Sequence, residues 1–316
     1  MTRATLVAGP WWFAAALLIL CAGDAAARTI RVPADHDTIQ AAVDVAEYGD
    51  VVLVKSGTWN EDVRITTSGI RLLGQPGAIL DGRNVPLTIE NCVGVSVEGL
   101  KIVDSRADGV WIRGCSGITL LGCRVLDTQR SGVRAEGSAD IVVKKCRFDD
   151  IGDAGVLLVE DAGGVSTRQC IVERCRFDGV NDDAIVTTGN DHELIRNRIG
   201  AVRGIGIHLF GGEGHLVEKN VVNGVGGVGI LVRSANCRLI RNRVTKPGSD
   251  GIQVDTTGNF LEKNRIRRAG DDGFELNAGG NELASNRAAK SVELDLNVTI
   301  SPDTNVYTGK NRFRKK

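Results

Sequence analysis

Three short segments, LIRN (194–197), VEKN (217–220) and LIRN (239–242), are followed at a fixed distance by GIHL (206–209), GILV (229–232) and GIQV (251–254). Nine residues separate each asparagine from its glycine. Moving outward, the same interval runs from Leu100, Cys123, Cys146, Cys175, Asn264 and Asn286 to Gly109, Gly132, Gly155, Ala184, Gly273 and, irregularly, Asp295. The remainder of each unit is nearly constant, so most units are 22 or 23 residues long. A repeat of that length, made of short apolar alternations separated by turns, is one coil of a parallel β-solenoid, expected to run to roughly ten coils. In GVWI, GIHL and GIQV the first and third residues after glycine face inward and the middle one outward.

Stacked at about 4.8 Å, equivalent positions form ladders. The asparagine anchor is expected to face inward at a corner, to adopt the left-handed conformation, and to bond along the stack through its amide. Cysteine takes the slot in earlier coils as a small, weakly polar filler. Cys123, Cys146 and Cys175 form one line, and Cys92 with Cys115 another; parallel side chains suit neither a tetrahedral metal nor disulfide geometry, so buried thiols are expected.

The 316 residues carry 39 Lys+Arg against 39 Asp+Glu, a zero net charge that argues against a dedicated nucleic-acid binder. Forty glycines, six prolines and 42% hydrophobic residues suit many strands joined by tight turns. Residues 1–27 read as a secretory signal: Arg3, an apolar run from Trp11 to Cys21, then Ala25-Ala26-Ala27. The run is too short to span a membrane, and no later one approaches that length. The expected product is an exported, secreted or periplasmic monomer comprising one β-helix domain, 28–316, with a cap at about 28–50.

That cap is a helix. Asp37 with Gln40 suggests a capping box, and Ile39, Ala42, Val43 and Ala46 make its apolar face. Together with the coils, the opening TIQAAVDVAEYGDVVLVKSGTWNEDVRI (38–65) resembles the right-handed parallel β-helix superfamily of pectate lyases, polygalacturonases and NosD-like repeat proteins. The resemblance covers about residues 29–313 and implies an all-β, right-handed parallel β-helix with a helical N-terminal cap. It does not fix an activity, because one fold hosts many. The motif segments of pectin methylesterases and the D-P-H element of alginate epimerases are absent. The aspartate pair of polygalacturonases matches Asp182 and Asp183, but Ile205 stands in that family's histidine slot. Its third carboxylate falls at Ala154, beside Asp153. The NosD likeness raises copper, but His36, His192, His208 and His215 sit at unrelated ladder positions and no methionine follows Met1.

Two charged ladders remain. Arginines follow most anchors, among them Arg198, Arg243 and Arg265, and form an outward basic stripe suited to polyanions. Glu173, Glu218 and Glu262 are placed to interleave and neutralise it, and charged edges are also ordinary protection against aggregation. Aspartates precede the GIHL-type strands, where Asp-Gly is standard turn chemistry. Asp182-Asp183 differs, because alanine replaces glycine and the same unit holds the one long insertion, between Gly155 and Cys175. The candidate catalytic set is therefore Asp153, Asp182, Asp183, His208 and Arg233. Asp182 and Asp183 are also candidate Ca²⁺ ligands, and Arg233 is the candidate base by likeness to pectate lyases. With strands taken as straight, His208 lies about 11 Å from the Asp183 register, too far for contact.

The leading expectation is an exported protein binding or processing an extended, uronate-type polysaccharide on its outer face, by a lyase rather than a hydrolase if it is an enzyme. A non-catalytic envelope scaffold and a NosD-like periplasmic accessory factor remain as alternatives.

Overall fold

The computed structural model describes residues 27–300 and 303–313; most of the expected signal segment lies outside them. Each coil visits three parallel sheets in turn, as in Thr119–Leu121, Arg124–Thr128 and Val133–Glu136. The first sheet has 13 strands, from Thr29–Val32 to Val306–Thr308. The second and third have 11 each, beginning at Gly57–Trp59 and Val63–Ile65. The solenoid is right-handed and has about 12 turns, more than the count taken from the anchors, because the first coils carry neither asparagine nor cysteine in the slot.

In Ile207–Leu209 the burial alternates with His208 outward, and Ile252–Val254 and Phe274–Leu276 follow the same pattern. The interior is a set of apolar columns, including a stacked pair of rings, Phe148 on Phe177, with centroids 4.8 Å apart. The glycine opening each third-sheet strand is required by space rather than by an unusual φ. A Cβ on Gly229 would lie 2.4 Å from Val244 Cγ1 and 2.5 Å from the Gly251 carbonyl oxygen. Coils at strand spacing leave no room for it.

The asparagine ladder runs through Asn197, Asn220, Asn242, Asn264, Asn286 and Asn311. Each Oδ1 accepts the backbone N–H of the preceding anchor, from Cys175 to Asn197 and from Asn197 to Asn220 at 2.9 Å and from Asn220 to Asn242 at 3.0 Å. Each Nδ2 donates to a carbonyl one coil back, as from Asn220 to Leu194 at 2.7 Å. The left-handed residue is not the asparagine but the one before it: Lys145, Arg174, Arg196, Lys219, Arg241 and Lys263 all have φ of 55–57°. The corner is turned one residue early, which leaves the asparagine free to hold its amide inside the stack. A long side chain at positive φ costs about 1 kcal/mol, and the satisfied ladder offsets that cost.

A second ladder lies five residues before each anchor: Cys170, His192, His215, Cys237, Asn259 and Asn281. The two histidines thus share one column, contrary to the expectation of unrelated positions. Their rings stack 5.1 Å apart at 4°. His192 Nδ1 accepts from the Cys170 N–H at 3.2 Å while Nε2 donates to the Thr188 carbonyl at 2.8 Å. His215 repeats this with the His192 N–H at 3.2 Å and the Gly211 carbonyl at 3.1 Å. Neutral imidazole, like asparagine, pairs one acceptor with one donor, which is why it fits the slot. Burial pushes the His192 pKa down to about 4 and lowers that of His215. All seven cysteines among the described residues are buried free thiols; Cys92 and Cys115 approach to 3.9 Å between sulfurs.

At the N-terminal end helix α1 (Ile39–Asp44) buries Ile39, Ala42 and Val43 over the first coils. Its N-cap is Thr38, whose hydroxyl accepts from the Ala41 N–H at 3.1 Å, rather than the expected Asp37. Gln40 is committed elsewhere: its Oε1 accepts the Arg64 N–H at 2.7 Å. Glu61, from the GTWNE segment, accepts the Ile39 and Gln40 N–H groups at 2.8 and 2.9 Å, tying the cap to the first full coil.

Candidate active site

The turn from the second sheet into the third sheet carries the aspartates. Asp183 is buried, and its Oδ1 accepts the Ile205 N–H of the next coil at 2.6 Å. Asp108, Asp250 and Asp272 do the same with Ser131, Asp272 and Leu294, at 3.0, 2.9 and 2.7 Å. One carboxylate oxygen at this position therefore closes the turn of the following coil.

The other oxygen of Asp183 bonds His208 Nδ1 at 2.9 Å. The expected separation was wrong because strand Ile185–Thr187 begins only after the turn, and the Asp183 side chain folds over its outer face toward the next coil. With an ionised Asp183 accepting, Nδ1 carries the proton and Nε2 is the basic nitrogen. His208 Nε2 is buried and has no hydrogen-bond partner among the described residues. Its ring meets the exposed Phe210 edge to face at 5.3 Å and 77°.

Asp153 and Asp182 occupy one register on adjacent coils, since Val156 pairs with Ile185. Burial first, then the charges of Asp183 and Asp153, raise the pKa of Asp182, and a hydrogen bond to Asp153 adds to this. Asp182 thus keeps its proton to a higher pH than a free aspartate. Arg233 is not brought to this group. It lies at the far end of its strand and binds Asp255 at 3.2 Å. The expected calcium ligands Asp182 and Asp183 are adjacent here, with Asp153 in register beside Asp182, and each Asp183 oxygen also accepts one hydrogen bond.

A second acidic group stands where the sequence indicates only turn chemistry. Oxygens of Asp250, Asp271 and Asp272 lie within 4.8 Å of one another, and Glu275 stands beside them. Burial leads in raising the pKa of Asp250, Asp271 and Glu275, with neighbouring carboxylates adding to it. The GDDG at 270–273 repeats the register of NDDA at 181–184 and was the available signal.

The basic ladder divides along the rod. Arg124 and Arg147 both bind Asp149, at 3.2 and 2.6 Å, and Arg176 binds Asp178 at 3.0 Å. Glu173, Glu218 and Glu262 neutralise the residues before the anchors, pairing with Arg174, Lys219 and Lys263. Arg198, Arg243, Arg265 and Arg287 have no ion pair among the described residues.

Coils of this register and three parallel sheets define a right-handed parallel β-helix. The chain belongs to the family described as right handed beta helix region, whose model matches residues 53–186 and 183–293. No curated protein matches the sequence. Among solved structures it is similar to the catalytic unit of a thermostable GH87 α-1,3-glucanase from Streptomyces thermodiastaticus. That match has a TM-score of 0.67 at 13% identity, over 93% of this chain and 71% of the other. The A-module of the Azotobacter vinelandii mannuronan C-5 epimerase AlgE6 gives 0.65 at 14%, over 88% and 95%. An alginate lyase from Paenibacillus sp. gives 0.60 at 18%, over 90% and 99%. At these identities the likeness is one of fold. No helix among the described residues is long and apolar enough to cross a membrane.

Proposed function

We propose that this is an exported polysaccharide lyase acting on a linear uronate-containing chain at the group Asp153, Asp182, Asp183 and His208. The observation that carries the reading is His208: one nitrogen is locked on a buried aspartate, and the other has no partner among the described residues, with Asp182, whose proton affinity is raised, close by. Similarity to glucanase, epimerase and alginate lyase structures supports carbohydrate as the substrate class.

In this scheme the exposed Phe210 ring, which packs edge-on against the imidazole, turns aside to uncover the buried Nε2 of His208, and Nε2 removes the proton from C5 of a uronate. The C–H electron pair becomes the C4–C5 double bond, the bond from C4 to the glycosidic oxygen breaks, and that oxygen takes a proton from Asp182. Asp183 holds the imidazole in the tautomer that leaves Nε2 basic, and Phe210 offers an apolar face for a sugar ring. A Ca²⁺ ion at the aspartate carboxylates would displace the proton that Asp182 donates, so the acid role of Asp182 and a calcium site exclude one another, and turnover with and without Ca²⁺ separates them.

The test is to incubate the protein with polygalacturonate and with alginate, with and without Ca²⁺, and follow the ultraviolet absorbance of unsaturated product. His208→Asn and Asp182→Asn should each reduce turnover at least 100-fold, the order expected for loss of a general acid or base. The scaffold reading draws on a specific parallel: Asp272 braces Asn297 across coils at 2.7 Å in the same way that Asp183 braces His208. Wild-type protein with no turnover on either polymer would assign the group to that bracing role.

A further inference from the structure

The unpaired arginines lie on the other side of the second sheet from the aspartates, at the corner where it meets the first sheet. Arg243, Arg265 and Arg287 pair in register on successive coils, and Arg312 bridges to Arg287. With Arg241, Lys263 and Lys310 they line a groove of about 530 Å³. Two sequence changes open it. The position three residues after the anchor, Asp149 and Asp178 in earlier coils, becomes Thr245, Arg267 and Ala289. Asn242 and Asn286 form the groove floor, with their amides already spent on the ladder, so the floor adds no competing carboxylate.

We infer that this groove is a second binding site, separate from the aspartate group, which holds a linear acidic polysaccharide along the axis of the rod with one carboxylate per coil. Like charges repeated at about 4.8 Å without counter-charges repel one another, and a bound polyanion relieves that repulsion. The coil spacing is close to the length of one pyranose residue, so a uronate chain can meet a guanidinium at each step, and guanidinium binds carboxylate in a two-point fork. No aromatic residue lines the groove to stack bases, which disfavours single-stranded nucleic acid. Nor does the groove offer an apolar face for insertion into a lipid surface. The inference shares its ligand class with the proposed lyase activity but stands on different residues.

The experiment measures binding of oligogalacturonates of increasing length by calorimetry, across a salt series. Affinity should rise with each added uronate until the groove is filled. Arg243→Ser/Arg265→Ser/Arg287→Ser should weaken binding at least tenfold and flatten the salt dependence. Arg124→Ser/Arg147→Ser/Arg176→Ser, which removes arginines already neutralised by aspartate, should leave both unchanged. These six side chains sit on the surface, and turnover of short oligomers by either triple variant reports whether the aspartate group is intact. Equal weakening by both triple variants would overturn the inference. So would affinity independent of chain length, or tighter binding of duplex DNA or of anionic lipid vesicles than of polygalacturonate.

Discussion

The coils up to Cys175 and the coils from Asn197 onward follow the same backbone path yet fill the same columns differently. In the earlier coils the corner slot holds thiols, whose contacts with carbonyls are long: Cys146 Sγ lies 3.5 Å from the Leu120 oxygen and 3.4 Å from that of Lys144. In the later coils it holds amides that make three or four short bonds each. Outside, the earlier arginines are cancelled by aspartates on their own or the next strand, and most of the later ones are not. The inner slot therefore tolerates any small group that leaves the turn undisturbed, whereas the outer charges are free to vary. Where they have been left uncancelled, the fold gains nothing from it, which points to use.

Four substitutions sharpen or break this contrast. The largest effect should come from Asn242→Leu, which strands the Asn220 N–H and the Val217 carbonyl, bonded at 3.0 and 2.7 Å. A loss of about 3–5 kcal/mol is expected from buried groups left without partners. Cys146→Ala in the equivalent slot should cost only about 1–2 kcal/mol. Urea unfolding of both variants measures the difference, and equal losses would erase the distinction between the two kinds of ladder.

The next effect concerns acid. The folded-state pKa of His192 is depressed from 6.5 to about 4, so its contribution is complete above pH 6.5 and is lost as the pH falls toward 4. Over that window about 3 kcal/mol should disappear from this residue. His192→Asn places in the column the residue that Asn259 and Asn281 already supply. The unfolding midpoint of this variant should fall less between pH 7 and pH 4.5 than that of the wild type; an identical fall would show that other groups govern the acid response.

The smallest effect on stability belongs to Asp149→Asn, about 0.5–1 kcal/mol, because Arg124 and Arg147 are half exposed. Its interest is elsewhere. Freeing those arginines should create polygalacturonate retention in the earlier coils, adding to that of the Arg243 groove, and a column with a salt gradient reads this directly.

Much of the fold was legible because backbone stacking forces periodicity onto the sequence. The nine-residue interval located the third sheet, and the alternation in GIHL put His208 outside. What escaped depended on direction rather than period. The corner residue at positive φ is set by where the chain bends, and Lys219 gives no sign that it, rather than Asn220, bends there. The His192–His215 column stands five residues before each anchor, but the slot holds cysteine, histidine and asparagine in turn, so no single residue type marks it in the sequence. The Asp183–His208 bond was invisible to a distance measured along a straight strand. Arg233 looked near the aspartates for the same reason, since adjacency in coil number says nothing about which end of a short strand a side chain occupies.

The ladders have a genetic corollary. Asn220 and Asn242 are 22 residues apart, and each touches only the coils on either side. Removing Val221–Asn242 would set Arg243 directly after Asn220, in the environment it has now after Asn242, and every column would close again. An in-frame loss or duplication of one whole coil is thus nearly silent to folding, while a length that is not a whole number of coils throws both ladders out of phase. The rod can change length by whole rungs between one generation and the next, and the reach of its arginine groove, counted in sugars, would change with it.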